Sequence, residues 1–346
     1  MFEAVLTLCL AGAEAECRSV LLPGYEAATM ADCTAMLADT APDLDVFGAD
    51  VIAPGAPRCQ PAGPVLDLQE IAPRLWVHKG AIAEPDRVNG GDVSNIAVVI
   101  GDASVAVIDT GSARWMGESL WRAVRARTKL PVSHVILTHM HPDHVFGASV
   151  FDGARVVGHA GLARALADRQ ANYLESLASL IGADRLIGTA PPDIDLAIDG
   201  KMEIDLGGRV LELSTWPTAH TGNDLTVVDR VSGTLLAGDL VFDGHIPALD
   251  GSVTGWQAVL EQMAGQPPVR VVPGHGGPVL PWPAGGAATA RYLGVLAADT
   301  RAAIADGLRL GAAVERIAQG ERDYWQLFDA FNARNATVAY TELEWE

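Results

Sequence analysis

The sequence predicts an α+β protein in which two β-sheets are covered by helices, preceded by a small α/β module that carries disulfides. Three observations lead there. Short β-branched runs alternate with helical stretches along most of the chain, glycine turns such as Gly207-Gly208 join neighbouring runs into hairpins, and all four cysteines (Cys9, Cys17, Cys33, Cys59) lie in the first 59 of 346 residues. The cysteine asymmetry divides the chain into residues 1–60 and 61–346, with the Pro- and Gly-rich stretch 53–64 read as a linker.

In the first module, Phe2 to Leu10 and Asp45 to Ile52 read as strands, and Met30 to Leu37 as one short helix. The cysteines lack close C-x-x-C pairs, so two disulfides are favoured over free thiols or a four-thiolate zinc site. Cys9 and Cys59 each follow a strand-like run, which favours the pairs Cys9–Cys59 and Cys17–Cys33. Disulfides imply an oxidising compartment such as a periplasm. Glu3 sits where a signal peptide would be basic, and cleavage after Ala13 or Ala15 would discard Cys9. The first residues therefore read as a strand of the mature protein, any export signal being absent from this sequence or already removed.

In the second module, strands are expected at Ile96 to Ile100, Val105 to Ile108, Val135 to Leu137, Met202 to Leu206, Val210 to Ser214, Leu225 to Val228, Thr234 to Leu236 and Val269 to Val272. Helices are expected at Trp115 to Thr128, Leu162 to Ile181, Ala287 to Asp306 and Ala312 to Ala330. Lys and Arg number 24 against 43 Asp and Glu, a net charge of −19, the wrong sign for a partner built of phosphates. Nucleic acid is excluded as a partner. No run is long and apolar enough for membrane insertion, so a soluble protein is expected.

The chemistry concentrates in His139-Met140-His141-Pro142-Asp143-His144, directly after a strand-like run. In extended chain, alternate side chains share a face, so His139 and His141 can reach one ion. The turn at Pro142 sends Asp143 and His144 towards another. Imidazole and carboxylate donors suit zinc, and also iron and manganese.

Here the sequence resembles the metallo-β-lactamase-fold superfamily, and the remaining motifs of that family occur in order. They are Asp109-Thr110-Gly111, Ala219-His220-Thr221-Gly222-Asn223-Asp224, Gly238-Asp239 and Pro273-Gly274-His275-Gly276. The resemblance implies an αββα sandwich in which His139, His141 and His220 hold one Zn2+, and Asp143, His144 and His275 a second. Asp239 bridges them. It implies a hydrolase domain that cleaves an ester, thioester, lactone or lactam of a small-molecule substrate by metal-activated hydroxide. Asp109 and Asp224 are expected to accept hydrogen bonds that fix ligand tautomers. Asp143 and His245 are the catalytic candidates, His245 as a wall of the substrate cleft. His78, His134 and His159 are expected to be structural or exposed, Trp216 to wall the pocket or join the core, and Trp325 to Phe331 to pack.

The ligand set resembles that of glyoxalase II, although Lys and Arg near the C-terminus are too scattered to announce a glutathione site. A finer likeness covers the whole chain. Cys17-Arg18, Leu21-Leu22-Pro23, Asp32-Cys33, Arg58-Cys59 and the tail Trp325-Gln326-Leu327-Phe328 with Asn335 and Ala339 to Glu344 resemble the quinoprotein relay system zinc metallohydrolases, which are SoxH-like. That likeness implies a periplasmic setting beside a quinoprotein dehydrogenase system. Two other readings stay open: a mononuclear iron dioxygenase acting on persulfides, or a non-catalytic periplasmic relay or binding protein.

Overall fold

The computed structural model describes residues 1–47, 50–265 and 267–346. The first module is an antiparallel hairpin, β1 (Phe2–Leu10) and β2 (Ala13–Ala27), packed by α1 (Met30–Asp39). Two further strands, β3 (Val51–Ile52) and β4 (Arg58–Pro61), both pair with β1. The Thr29 hydroxyl accepts from Asp32 N and starts α1.

This sheet corrects the expected disulfides. They are Cys9–Cys17 and Cys33–Cys59, not Cys9–Cys59 and Cys17–Cys33. The polar, small-residue start of β2 hid a strand that places Cys17 directly opposite Cys9 in the hairpin register. That leaves Cys33 on α1 for Cys59 on β4. The stretch read as a linker also contributes β4, and the strand expected over Asp45 to Ile52 is a 3₁₀ turn (Asp45–Phe47) followed by β3. Gly48 and Ala49 of that run lie outside the described residues.

The remaining strands form two sheets. One runs in the order β11-β10-β9-β8-β7-β6-β5, where β5 is Gln69–Ala72, β6 Leu75–His78, β7 Ile96–Ile100, β8 Val105–Ile108, β9 Val132–Ile136, β10 Arg155–His159 and β11 Leu196–Ile198. The other runs β12 to β17 in sequence order: Lys201–Asp205, Val210–Thr215, Leu225–Asp229, Thr234–Leu236, Arg270–Val272 and Leu280–Pro281. Strand alternation explains the layering. Along β7, Ala97 and Val99 enter the core between the sheets with Leu211, Leu213 and Val227, while Ile96, Val98 and Ile100 face the helices.

Helices α2 (Arg114–Arg125) and α4 (Leu162–Ile181) cover the first sheet, with the one-turn helices α3 (Pro142–Val145) and α5 (Ala183–Leu186) nearby. Helices α6 (Val253–Ala264), α7 (Ala287–Ala305), α8 (Leu310–Val314) and α9 (Phe328–Leu343) cover the second. The single helix expected over Ala312 to Ala330 is broken. Ala318 and Leu327 take left-handed backbone, φ 56° and 61°, which L-residues cannot propagate as a helix, and a 3₁₀ turn lies between α8 and α9.

The first module is fastened to α2. Arg122 donates from Nε and Nη2 to the buried Glu3 carboxylate of β1, at 2.7 and 2.9 Å, and Arg18 of β2 makes a two-point pair with Glu118. Among the described residues, no helix is long and apolar enough to cross a membrane. The two disulfides point to an oxidising, extracytoplasmic compartment.

Candidate metal centre

Strand direction brings the motifs together. β8 and β9 run parallel, as do β15 and β16, and β14 runs against β15. The residues after β8, β9, β15 and β16, and those before β14, therefore gather at one end of the sandwich: Asp109, the segment His139–His144, Asp239, His275 and His220. Pro142 opens α3 at its first turn, where its missing N–H costs nothing, with His141 extended just before it. That turn separates His139 and His141 from Asp143 and His144.

Two groups of donors result. His139, His141, His220 and Asp239 offer donor atoms that lie within 4.8 Å of one another, and so do Asp143, His144 and His275. Asp239 stands between them. Its Oδ1 is 3.2 Å from His144 Nε2, and its Oδ2 is 3.3, 3.5 and 3.8 Å from Nε2 of His275, His220 and His139. Gly274 packs so tightly against Asp239 that a β-carbon there would overlap the carboxylate.

Hydrogen bonding sets the tautomer of each imidazole. His144 Nδ1 donates to Asp109 Oδ2 at 2.8 Å, His275 Nδ1 to Val93 O at 2.8 Å and His220 Nδ1 to Ala248 O at 2.6 Å. The Thr138 hydroxyl donates to Asp109, so its oxygen accepts from His139 Nδ1 at 2.9 Å. His141 is turned over, with Nε2 3.2 Å from Asp250 Oδ2 and Nδ1 facing the cluster. Each outward nitrogen thus spends its proton on a protein acceptor, and five lone pairs converge. His141 Nδ1 lies only 3.1 Å from His139 Nε2 and 2.9 Å from His220 Nε2, with no proton left to place between them.

The electrostatics differ between the two groups. Burial drives the pKa of His139 well below its ordinary value and that of His220 down to about 3. Burial also opposes ionisation of Asp143 and Asp239, yet the adjacent histidines hold both carboxyls below the usual range. Those carboxylates in turn overcome burial to raise His144 and His275, so in these two rings a proton competes with a cation for the Nε2 lone pair. Converging lone pairs beside two carboxylates call for cations. His144 Nε2 and Asp239 Oδ1 are buried without a hydrogen-bond partner, and an N/O donor set fits divalent ions.

Asp109 accepts from an imidazole of the cluster. It holds left-handed backbone, φ 60°, and accepts from Thr138 N, the Thr138 hydroxyl and His144. Asp224 does not. Both its oxygens accept from Thr221, so it shapes the turn after His220 instead of holding an imidazole, and burial raises its pKa to about 7. His245 lies against His275, ring centroids 4.9 Å apart, and against Phe331 at 5.0 Å. His78, His134 and His159 stay outside the cluster in local hydrogen bonds, and Trp216 joins the core with Nε1 donating to Thr226.

Sequence reading missed Asp250 and the segment Val93-Ser94-Asn95. Ser94 Oγ donates to Asp143 O, while Asn95 Nδ2 donates to Pro273 O and Gly276 O on either side of His275. These residues carry no metal-ligand signature, and only the polar Ser-Asn pair opening an apolar strand hints at them. Asp250 is a loop aspartate whose partners, His141 and Arg169, are distant in sequence. Replacing Asp250 by Ala should weaken divalent-ion affinity by about 10–100-fold, as for other groups that orient a ligand imidazole. Chelator competition measures this, and unchanged affinity would show that His141 needs no such acceptor.

The family profile of the metallo-β-lactamase superfamily matches residues 89–275, more than half of the chain. A Xenopus laevis relative, metallo-beta-lactamase domain-containing protein 1, is 26% identical over 204 residues, covering 55% of this chain and 75% of that protein. Among solved structures, the metallo-beta-lactamase from Pontibacter korlensis is 22% identical with a TM-score of 0.54, covering 66% of this chain and 99% of that one. The stereoselective inverting sec-alkylsulfatase Pisa1 from Pseudomonas sp. is 16% identical with a TM-score of 0.59, covering 80% of this chain and 50% of that one. With the αββα layers and every motif aspartate and histidine gathered at one end of the sheets, the match places this chain in the metallo-β-lactamase superfamily.

Proposed function

We propose that this chain is a binuclear zinc hydrolase. His139, His141 and His220 hold one ion, Asp143, His144 and His275 hold the other, and Asp239 bridges them. The observation that carries the reading is the convergence of five imidazole lone pairs on two sides of one carboxylate. Bound ions would supply a water of lowered pKa and Lewis acidity towards a scissile carbonyl.

The protein's own residues do the rest. His141 and Asp143, with side-chain exposures of 17% and 16%, are the ligands nearest solvent, whereas those of His139, His144 and His220 are 1% or less, so substrate approaches on the His141–Asp143 side. Burial beside His275 pushes the pKa of His245 down to about 4, which keeps it neutral at physiological pH. Its Nδ1 donates to Ile246 O, leaving Nε2 as an acceptor for a donor group on the substrate. Asp143 and His245 together would orient a small ester, thioester, lactone or lactam.

The division at residue 60, the periplasmic setting and service to a quinoprotein dehydrogenase system belong to the same proposal. They rest on the cysteine-bearing module and on the tail motif. The donor set equally suits iron, which keeps a persulfide dioxygenase as the second reading.

Metal content decides between them. Protein purified without chelators should carry about two zinc ions per chain by plasma mass spectrometry, and should turn over at least one ester, thioester, lactone or lactam above a His141→Ala control. One iron per chain with oxygen uptake on a persulfide would replace the hydrolase reading.

A further inference from the structure

The loop between Gly244 and Thr254 orients two of the three imidazoles of the first ion site. Ala248 O fixes His220 and Asp250 Oδ2 fixes His141. The loop forms neither helix nor strand from Ile246 to Ser252, so its shape must come from what grips it. Part of the grip is local: Asp250 N donates to His220 O and Ser252 N to Ala219 O.

The rest comes from the C-terminus, more than 80 residues away. Asn335 on α9, 1% exposed, brackets Ala248. Its Oδ1 accepts from Leu249 N at 2.9 Å and its Nδ2 donates to Pro247 O at 2.6 Å. Two turns further along α9, the Glu342 carboxylate accepts from Val253 N at 2.7 Å and from the Ser252 and Thr254 hydroxyls at 2.8 and 2.6 Å. Upstream, Gln326 exchanges backbone hydrogen bonds with Gly244 and Ile246.

We propose that Asn335 is a positioning residue for the three-histidine ion site, acting through the Pro247–Asp250 loop, and that Glu342 secures the far end of that loop. This gives the tail motif a task at the metal centre beyond packing. The inference rests on the binuclear reading. An amide suits the position because one side chain must give a proton to Pro247 O and take one from Leu249 N, which neither Asp nor Leu can do.

The test is a two-step Zn2+ titration of chelator-stripped full-length protein against a fluorescent zinc chelator, with far-ultraviolet circular dichroism to establish folding. Asn335→Ala should weaken one of the two zinc sites by about 10–100-fold and leave the other within about threefold. Asn332→Ala is the matched control. Asn332, buried one turn earlier on α9, belongs to the same network, since the Tyr292 hydroxyl donates to Asn332 and accepts from Asn335 Nδ2. Asn332 itself bonds to Ile317 O and not to the loop, so its loss disturbs the network without removing a loop contact, and both sites should stay within about threefold of the parent.

Unchanged zinc affinity in folded Asn335→Ala would overturn the inference while leaving the binuclear reading intact. Equal weakening by Asn332→Ala would overturn it too, since the effect would then be general packing. A parent that binds no divalent ion would overturn both. If Asn335→Ala does not fold, Glu342→Gln decides by the same criterion, a loss confined to one site supporting the inference.

Discussion

An Asp239→Ala variant is expected to hold no more than one tightly bound ion and to lose about three orders of magnitude in kcat/KM. The carboxylate lies within 3.2 to 3.8 Å of four imidazole nitrogens drawn from both donor groups, so its removal breaks both sites at once. Metal-derived stabilisation is worth several kcal/mol of the barrier, and about 4 kcal/mol corresponds to roughly a thousandfold in rate. Asp239→Asn separates charge from shape: it fills the same space beside Gly274, but a neutral amide cannot balance two dications. Equilibrium dialysis followed by plasma mass spectrometry reads the outcome. Two ions retained with parental affinity in either variant would show that Asp239 does not bridge.

The second large effect lies far from the ions. Glu3→Ala should destabilise the protein by about 3–5 kcal/mol, because it leaves the buried Arg122 guanidinium without a counter-charge, only Pro64 O remaining to accept from it. Gly63 N also loses its acceptor, Glu3 Oε1. Removing both charges as Glu3→Met with Arg122→Met should recover most of the loss, since a buried pair is costly chiefly when broken. Urea unfolding monitored by tryptophan fluorescence measures both. A Glu3→Ala protein as stable as the parent would mean that the first module is not coupled to α2 through this pair.

Glu3 also shows where the sequence was legible and where it was not. The strand expected over the first residues is there as β1, yet a strand residue's partner on another element leaves no local trace. The motif His139 to His144 was legible because strand alternation and one proline determine the grouping without reference to the rest of the chain. Likewise Leu162–Ile181, β7 and β8 announce themselves by period and composition. The disulfide pairing failed for the opposite reason: it depends on the register of β2, whose first residues lack β-branched side chains. Asp250 and Asn95 escaped notice, and Asn335 was legible only as part of the tail likeness, because their partners are brought close only by the finished fold.

Every cysteine is already committed to a disulfide in the first module, and the metal centre offers only nitrogen and oxygen donors. Thiolate ligands would be the first casualties of peroxide or of thiol–disulfide exchange in an oxidising compartment. Here the atoms that respond to redox conditions and the atoms that hold the ions are on separate parts of the chain. The chemistry that staples the first module therefore leaves the donor cluster untouched.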